Sequence, residues 1–398
     1  MNICFVSIGH ISKLRGGIDR VTDIISKELI RRGHKIFLVS LWKAVQGDKI
    51  EDYQHFLPSQ ECSSKENCLF LKTFFKENEI EVIINQAETW SMLELINDSH
   101  GCIPIISCIH TDPLYNIKTI DDNLALWKYQ NSKIEYLFKY PYFLARYIYQ
   151  KYTRSKYLRR KYSKLYNTCN AVVLLSDSFK TPFMKITGIS DSSKLYAISN
   201  PNSFDCVDIQ ENKENIVLVV SRLDFTPKRI DRILKIWKKI EQKHKDWELI
   251  ILGEGSYRNF YENISSTLDL RQVTFTGTVS PLTYYQKASI LCITSTHEGF
   301  SLAATEALQH EVIPIAFYSY EAIADIIEDN YNGYLIKPFS EKDYFKVLSS
   351  LIANKELRER IRNNIKIFNS KNKFATNYIV NNWESLITEI CKKNEKKD

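Results

Sequence analysis

Short runs of consecutive apolar residues alternate along the chain with longer segments whose apolar residues recur at helical spacing. In the first half the runs cover residues 3–8, 35–40, 81–85, 104–109 and 171–175, and a helix is predicted over 17–32. Strands that are apolar throughout, and not at every second position, are typical of parallel sheets covered by helices on both faces. The first half is therefore predicted to be a doubly wound α/β domain.

A polar stretch then interrupts the pattern. A last strand over 193–199 leads to a turn at Asn200-Pro201, and residues 202–215 hold four acids and few apolar side chains, which is typical of a linker. A second series follows, with strands predicted at 216–221, 248–252, 273–276, 290–294 and 312–316 and helices at 229–244, 257–268, 281–288, 301–310, 320–328, 341–353 and 355–367. The second half is thus predicted to be another α/β domain.

The two series together predict an α/β protein of two Rossmann-like domains, residues 1–200 and 201–374. Parallel sheets of this kind bind ligands beyond the carboxyl ends of their strands, so the two domains are expected to face a cleft. The last segment, 373–392, is amphipathic through Tyr378, Trp383, Leu386 and Ile390. Residues 375–398 are accordingly predicted to form a helix that returns to the first domain.

Composition narrows the class of protein. The chain has 398 residues, 44% of them hydrophobic and 25% charged, as in globular proteins. No apolar run approaches the roughly 18 residues of a membrane span, and residues 1–8 have the pattern of a strand and not of a signal peptide. The nine cysteines contain no C-x-x-C pair, so reduced thiols in a cytoplasmic protein are expected.

Positive charge is concentrated in one segment. Residues 128–166 contain eleven Lys and Arg, ten Tyr and a single acid, Glu135, whereas the remaining 43 basic and 46 acidic residues give a net charge of −3. After Pro141 a helical stripe is predicted through Leu144, Ile148, Tyr152, Ser155, Tyr162 and Tyr166. Such a helix suits an anionic membrane surface at the inner face of the plasma membrane. A solvated helix is the alternative; no motif supports nucleic acid.

The segment Glu298–Glu306 has the pattern of an anion site. A buried strand over 290–294 ends in a tight turn containing Gly299, and a helix is predicted to start near Ser301. Backbone amides at a helix N-terminus favour a phosphate, while the two acids, one on each side, suit the hydroxyls of a sugar. An ordinary solvated pair of acids is the alternative.

Two cations are predicted at the same edge of the second sheet. Arg222 lies at the carboxyl end of the strand over 216–221, and Lys228 lies at the start of the next helix, directly after Pro227. Because the chain has no Asp-x-Asp and no His/Cys cluster, a diphosphate here would be held by cations and amides, without a metal. In the first domain, Gly16-Gly17 precedes a helix and His110 ends a strand; a flexible turn and a structural histidine are the alternatives.

These motifs, in this order, resemble the retaining glycosyltransferases of family 4, which have the GT-B fold. The resemblance covers nearly the whole chain and rests on Gly16-Gly17, His110, Asn200-Pro201, Arg222 with Lys228, Gly253-Glu254-Gly255, Phe275-Thr276-Gly277 and the Glu298/Glu306 pair. The chain departs from the family pattern at Ser301, where Gly or Pro is common, at Arg229, where Gly or Asn is frequent, and at Glu311, where Gly is common. These departures bear on the identity of the donor sugar.

The resemblance implies a role for each site residue. Arg222 and Lys228 would hold the donor diphosphate, Glu298 the sugar hydroxyls and Glu306 the ribose, with His110 beside the sugar at the reaction centre. Backbone groups would supply the other donor contacts, from Gly16, Gly17, Gly253, Thr278, Val279, Phe300, Ser301 and Leu302. No cofactor or metal is expected.

The function implied is a retaining hexosyltransferase that uses a nucleotide-diphosphate sugar, with UDP favoured. Its acceptor would be a lipid-linked or oligosaccharide chain of a bacterial capsule, O-antigen or cell-wall polysaccharide. The alternatives are a GT-B nucleotide-sugar epimerase or phosphorylase, and a non-catalytic GT-B subunit that binds a sugar. The acceptor, the linkage position and the oligomeric state are not determined by these residues.

Overall fold

A computed structural model of the protein describes residues 1–12, 16–43, 50–130, 133–204 and 209–395; between 128 and 137 it describes only the side chain of Glu135. The chain divides into two compact units. Unit 1 comprises Met1–Pro113, Ser155–Ser203 and Lys373–Asp398, and unit 2 comprises Leu114–Arg154 and Phe204–Asn372. Among the described residues, no helix has both the length and the apolarity needed to cross a membrane.

Unit 1 is built on a parallel sheet of seven strands. In chain order they are β1 (Asn2–Ser7), β2 (Lys35–Ser40), β3 (Gln54–Phe56), β4 (Val82–Asn85), β5 (Ile105–Ile109), β6 (Ala171–Leu174) and β7 (Leu195–Ala197), and in space they run β3-β2-β1-β4-β5-β6-β7. The order reverses between β1 and β4, and sheets of this kind bind ligands beside such a reversal. Strands β4 and β5 are fully buried and β1 is buried after Asn2, as their continuous apolar runs predict.

Helices connect these strands. They are α1 (Gly17–Arg31), α2 (Lys65–Glu77), α3 (Trp90–Asn97), α4 (Tyr115–Gln130), α5 (Lys133–Thr168) and α6 (Lys180–Thr187), with a 3-10 turn at Asp177–Phe179. The pattern of 43–68 did not predict β3, because this edge strand has three residues and none of them is fully buried. The other predicted strands of this half are confirmed to within two residues at each end.

Unit 2 contains a second parallel sheet, of six strands. They are β8 (Ile216–Val220), β9 (Glu248–Leu252), β10 (Val273–Gly277), β11 (Ile290–Ile293), β12 (Ile313–Phe317) and β13 (Tyr334–Ile336), in the spatial order β10-β9-β8-β11-β12-β13. The helices are α7 (Ile230–Glu241), α8 (Arg258–Thr267), α9 (Leu282–Lys287), α10 (Leu302–Gln309), α11 (Glu341–Ala353) and α12 (Lys355–Ser370). The predicted helix over 320–328 is wrong: it is a 3-10 segment, Glu321–Asp325.

The C-terminal helix α13 (Thr376–Glu395) belongs to unit 1, as predicted. It packs beside α1, where Glu384 accepts a hydrogen bond from His34 Nε2 at 2.9 Å and pairs with Arg32. Trp383, Leu386 and Ile390 are buried on its inner face, whereas Tyr378, predicted on that face, is half exposed.

The segment 114–154 groups with unit 2, although the predicted boundary at residue 200 placed it in the first domain. A buried network connects it to that unit: Asp122 accepts hydrogen bonds from Arg229 Nη1 at 3.3 Å and from Thr296 Oγ1. Lys118 Nζ also lies 3.6 Å from a carboxylate oxygen of Glu321. A buried carboxylate needs such partners, so α4 is held to the second sheet by polar contacts that no local pattern reveals.

The long helix α5 runs through Pro141 without a break, and the predicted stripe on it divides into two parts. Leu144, Ile148 and Tyr152 are exposed, whereas Tyr162 and Tyr166 are buried. The single stripe is therefore wrong as an amphipathic face, because the two ends of the helix belong to different units. Residues 131 and 132 of the basic segment lie outside the described residues.

Candidate functional site

The turn between β11 and α10 brings two predicted site residues together. Lys228 Nζ donates a hydrogen bond to Glu298 Oε1 at 2.9 Å, and Ser295 Oγ donates to the same oxygen at 2.6 Å. The side chains of Lys228 and Glu298 are only 19% and 12% exposed. Both line one small cavity together with Ser301 at the carboxyl edge of β8 and β11. The predicted cation and acid thus form one polar centre.

Arg222 lies two residues beyond the end of β8 and is open to solvent. Its side chain is 74% exposed, and Nη1 lies 3.3 Å from Asp224 Oδ2. Such an exposed pair contributes little to stability, so the side chain is free to move to a ligand at low cost. Arg222 therefore lies beyond the carboxyl end of β8 and is not among the residues that line the cavity with Lys228.

Glu306 is buried in α10, with 2% of its surface exposed. The hydroxyl of Tyr285 donates to its Oε2 at 3.0 Å, and the Tyr285 ring stacks on His310 with centroids 5.4 Å apart. The sequence analysis did not identify Tyr285 as a site residue, because α9 bears no motif. A hydrogen bond of this kind orients the carboxylate, which is the part of Glu306 that a ribose would contact.

Phe300, Ser301 and Leu302 form the entry to α10. Ser301 is the N-cap residue, but its hydroxyl caps no backbone amide. The hydroxyl groups of Ser301 and Tyr320 are both buried. Burial holds the pKa of Tyr320 well above its ordinary value, with Glu298 raising it further and Ser301 lowering it. The departure from the family pattern at Ser301 therefore adds a buried polar group beside the cavity.

Gly253 is required by the backbone itself. Its φ is +130°, and a Cβ at this position would lie 1.9 Å from the carbonyl oxygen of Ser221. The ends of β8 and β9 can approach this closely only with glycine here. Thr278 and Val279 follow β10 in an exposed loop before α9, which is where the resemblance predicts contacts with the base.

The two other family departures, Arg229 and Glu311, share a backbone conformation. Their φ values are +48° and +58°, in the left-handed region that Gly and Asn adopt most easily. Each side chain is buried in ion pairs: Arg229 Nε donates to Asp231 Oδ1 at 2.9 Å, and Glu311 lies 3.2 Å from Arg362. The left-handed positions of the family pattern are thus kept, and charged side chains fill the space around them.

In unit 1, Gly16 and Gly17 form the start of α1. Gly16 is the N-cap residue, with a φ of −61°, and a Cβ there would meet nothing within 4 Å. Packing within the protein therefore does not explain the glycine at this position. Close approach of a ligand to the backbone would explain it. Residues 13–15 of the same turn lie outside the described residues.

His110 directly follows β5. Its Nε2 lies 2.5 Å from Gln86 Oε1, and its backbone N–H donates to the carboxylate of Glu88. Burial lowers the pKa of the imidazole, and Glu88 opposes that shift. Gln86 and Glu88, which follow β4, were missed by the sequence analysis because no motif marks them. In the described ranges, no group of three or more His, Cys, Asp or Glu side chains could hold a metal ion.

Three comparisons with known proteins show what this chain is similar to. Residues 207–368 match the family model described as glycosyl transferases group 1. An uncharacterized glycosyltransferase of Haemophilus influenzae is 26% identical over 223 residues, which is 55% of this chain and 62% of that protein. The GalNAc-alpha-(1->4)-GalNAc-alpha-(1->3)-diNAcBac-PP-undecaprenol alpha-1,4-N-acetyl-D-galactosaminyltransferase of Campylobacter jejuni is 27% identical over 229 residues, 56% of this chain and 62% of that protein.

The chain thus matches about three fifths of the length of these two relatives. Among solved structures, TarM of S. aureus, in complex with Fondaparinux, alpha-GlcNAc-glycerol and UDP, superposes with a TM-score of 0.74 at 15% identity, covering 97% of this chain and 100% of that one. At this identity the likeness establishes the fold. The chain therefore has the GT-B fold, and its residues 207–368 match the family model of the group 1 glycosyl transferases.

Proposed function

We propose that this protein is a retaining glycosyltransferase that moves a hexosyl unit from a nucleotide-diphosphate sugar, with UDP favoured, to a lipid-linked or oligosaccharide acceptor. The product would belong to a capsule, O-antigen or cell-wall polysaccharide. The observation that carries the proposal is the polar centre at the start of α10, where Lys228, Glu298 and Ser301 line one cavity. The N-acetylgalactosaminyltransferase activity of the Campylobacter relative and the UDP bound to TarM support the substrate class.

The chemistry requires stabilisation of negative charge. As the bond between the anomeric carbon and the diphosphate breaks, charge accumulates on the leaving diphosphate. Lys228 and Arg222 would neutralise that charge, and no metal would be needed. The acceptor oxygen attacks from the same face, so the anomeric configuration is kept, and the acceptor proton passes to the leaving diphosphate.

Glu298 would orient the donor sugar. Its Oε1 is occupied by Lys228 and Ser295, which fixes the position of the carboxylate. A fixed carboxylate is suited to accept hydrogen bonds from sugar hydroxyls, and holding a substrate in place contributes substantially to rate. Glu306, oriented by Tyr285, would bind the ribose in the same way.

The decisive test is turnover by the purified chain with a panel of nucleotide sugars and acceptors, with and without a chelator. We expect transfer that a chelator does not reduce, and NMR of the product should show the anomeric configuration of the donor. Loss of activity on chelation would contradict the metal-free site, and an inverted product would contradict retention.

Arg222→Ala tests the site itself. We expect kcat to fall by about two orders of magnitude, the typical effect of removing one such charge-stabilising donor. The matched control is Arg271→Ala, because Arg271 is also exposed and pairs with Asp269 at 2.7 Å. Both variants should unfold at the temperature of the parent chain. Equal activity of the two variants would remove Arg222 from the site.

Two other functions are separated by the same assay. Epimerisation of the donor without an acceptor, or release of sugar phosphate when phosphate is supplied, would indicate a GT-B epimerase or phosphorylase. Binding of a nucleotide sugar without any turnover would indicate a non-catalytic subunit. The presence of Arg222, Lys228 and Glu298 supports transfer, because a non-catalytic subunit would be expected to have lost one of them.

A membrane surface is the proposed location of the acceptor. Between residues 138 and 152 of α5 the exposed fractions are 82% for Phe138, 65% for Tyr142, 68% for Tyr149 and 66% for Tyr152. No acid occurs between 136 and 176. The opposite side of α5 packs on α4, where the rings of Trp127 and Phe143 have centroids 3.7 Å apart. Exposed aromatic rings among cations suit the headgroup region of an anionic bilayer.

Vesicle binding tests this surface. We expect the protein to sediment with vesicles that contain anionic lipid, to remain in solution with neutral ones, and to be released by salt. Replacing Tyr149 and Tyr152 by Ser should weaken binding, whereas Tyr378→Ser, at a half-exposed position of α13, should not. Equal binding to both kinds of vesicle would contradict the proposal.

A further inference from the structure

A buried polar cluster lies behind His110 in unit 1. Gln86 and Glu88 belong to the segment after β4, His110 and Thr111 to the turn after β5, and Lys161 to the C-terminal part of α5. Gln86 and Lys161 are each 4% exposed. Buried polar side chains are costly unless they are paired. The pairing of side chains from three separate elements therefore indicates a specific arrangement at this place.

Glu88 organises the backbone of the turn. Its Oε1 accepts hydrogen bonds from the N–H of His110 and, at 2.9 Å, from the N–H of Thr111. Its Oε2 accepts from Thr111 Oγ1 at 2.9 Å and lies 3.8 Å from Lys161 Nζ. The carboxylate is thus held from several directions, and the position of His110 is determined by a side chain 22 residues earlier in the chain.

Gln86 determines the state of the imidazole. With Gln86 Oε1 as the acceptor, 2.5 Å away, the hydrogen of a neutral ring sits on Nε2. An uncharged imidazole has one donor nitrogen and one acceptor nitrogen, so Nδ1 is then the acceptor. Burial lowers the pKa of His110, which keeps the ring neutral at pH 7.

The charged and titratable groups around the ring leave this state undisturbed. Glu88 faces His110 from the segment after β4, and the oppositely charged Lys161 of α5 lies 3.8 Å from the Glu88 carboxylate. Cys108 and Asp112 are buried on the same strand and turn as His110. Burial raises the pKa of the Cys108 thiol, so it remains uncharged. For the imidazole of His110, burial opposes protonation more strongly than the charge of Glu88 favours it.

We propose that Gln86 and Glu88 are positioning residues that present His110 as a neutral hydrogen-bond acceptor, through Nδ1, to a substrate hydroxyl group. The proposal rests on the proposed function, because it takes His110 to lie at the reaction centre. It specifies the chemistry of the ligand group there: an uncharged hydroxyl of the donor sugar or of the acceptor, and not a phosphate oxygen, which would require a donor nitrogen.

NMR of the imidazole nitrogens in the parent protein tests the positioning without any turnover. We expect His110 to be neutral at pH 7, with its hydrogen on Nε2, and to become protonated only at a pH below the ordinary pKa of histidine. Hydrogen on Nδ1, or a protonated ring at pH 7, would overturn the proposal. Because this measurement needs no substrate, its failure is distinguishable from failure of the glycosyltransferase assignment.

Gln86→Glu tests the link to catalysis. A carboxylate beside Nε2 favours the protonated ring, so the pKa of His110 should rise, and activity should be lost as the pH falls through that raised value. We expect the activity of the variant to fall at least tenfold from pH 8 to pH 6, and that of the parent less than twofold. An unchanged pH profile in the folded variant would refute the proposal.

Two further variants complete the test. Gln54→Glu is the matched control, because Gln54 Oε1 likewise bonds His10 Nε2, at 3.0 Å, and His10 has no proposed role at the reaction centre; it should add no acidic limb to the activity profile. Gln86→Leu removes the orienting hydrogen bond without adding charge, and should lower kcat about tenfold with little change in KM. If Gln86→Leu keeps full kcat, Gln86 does not position His110.

Deoxy analogues identify the hydroxyl. The loss of activity caused by removing one hydroxyl from the donor or the acceptor is measured in the parent enzyme and again in His110→Ala. The analogue that lacks the bound hydroxyl should show no further loss in the variant, whereas the others should show the full loss. If the losses are additive for every donor and acceptor analogue, His110 binds no substrate hydroxyl and the proposal fails.

Discussion

The pair formed by Lys228 and Glu298 allows the catalytic and structural roles of one lysine to be separated. Lys228→Ala removes the ammonium that donates to Glu298 Oε1 at 2.9 Å, and leaves the hydrogen bond from Ser295 Oγ to that oxygen in place. If the lysine serves only to stabilise the turn, neutralising Glu298 at the same time should restore what was lost. If it also neutralises the donor diphosphate, activity should not return.

The magnitudes follow from burial. The two side chains are 19% and 12% exposed, so the pair is worth more than a surface pair. Removing one partner of a charged hydrogen bond typically costs about 2 kcal/mol of folding free energy. Loss of one charge-stabilising donor raises the reaction barrier by roughly 3 kcal/mol, which lowers kcat more than a hundredfold.

The assay is a double-mutant cycle of Lys228→Ala and Glu298→Gln, followed by denaturant unfolding and by kcat. We expect about 1 kcal/mol of the lost stability to return in the double variant, because no uncompensated carboxylate remains. Its kcat should stay as low as that of Lys228→Ala. The control is Lys164→Ala, whose partner Glu94 lies at 2.6 Å but is 43% exposed, and which should leave kcat unchanged.

Recovery of kcat in the double variant to the level of Glu298→Gln alone would refute the catalytic role of Lys228, because the lysine would then act only by neutralising Glu298. Equal loss of kcat in the Lys164→Ala control would show that the assay reports general destabilisation.

Three further predictions concern unit 2 and the start of α1. Gly253→Ala should lower the free energy of unfolding by at least 3 kcal/mol in denaturant titration, because the added Cβ meets backbone; Gly16→Ala, where a Cβ meets nothing, should change it by less than about 1 kcal/mol. Burial and neighbouring cations lower the pKa of His297 to about 4. The free energy of unfolding should therefore fall by about 3 kcal/mol as the pH drops from about 6.5 to 4. In thermal unfolding, His297→Gln should remove that pH dependence. Tyr285→Phe removes a donor to Glu306 and should raise the KM for the nucleotide sugar, with little change in kcat, in steady-state kinetics.

Each of these has an outcome that contradicts it. A Gly253→Ala chain as stable as the parent would mean that the two strand ends separate freely. Stability falls as the pH falls because, between pH 4 and 6.5, His297 binds a proton in the unfolded chain but not in the folded one. An equal pH dependence of stability in His297→Gln and the parent would show that another group causes it. An unchanged KM in Tyr285→Phe would mean that Tyr285 does not orient a ribose ligand.

The local sequence pattern determined most of the secondary structure of this protein. Continuous apolar runs predicted the principal strands of both sheets, because a strand buried on both faces must be apolar throughout. The cluster of charge between 128 and 166 and the acid pair at 298 and 306 are likewise properties of the sequence alone. Two edge strands, β3 and β13, were not predicted, since five of their six residues are only partly buried and leave little apolar pattern in the sequence.

Tertiary structure decided which side chains meet. Asp122 and Arg229 are 107 residues apart in sequence, and their buried contact places 114–154 in unit 2 and not in the first domain. Lys228 and Glu298 are 70 apart, and the sequence predicted both as ligands without predicting that they pair. Local periodicity records which face of an element is buried, but not which partner covers it. Long-range polar contacts depend on the fold of the whole chain, so they became visible only in the structure.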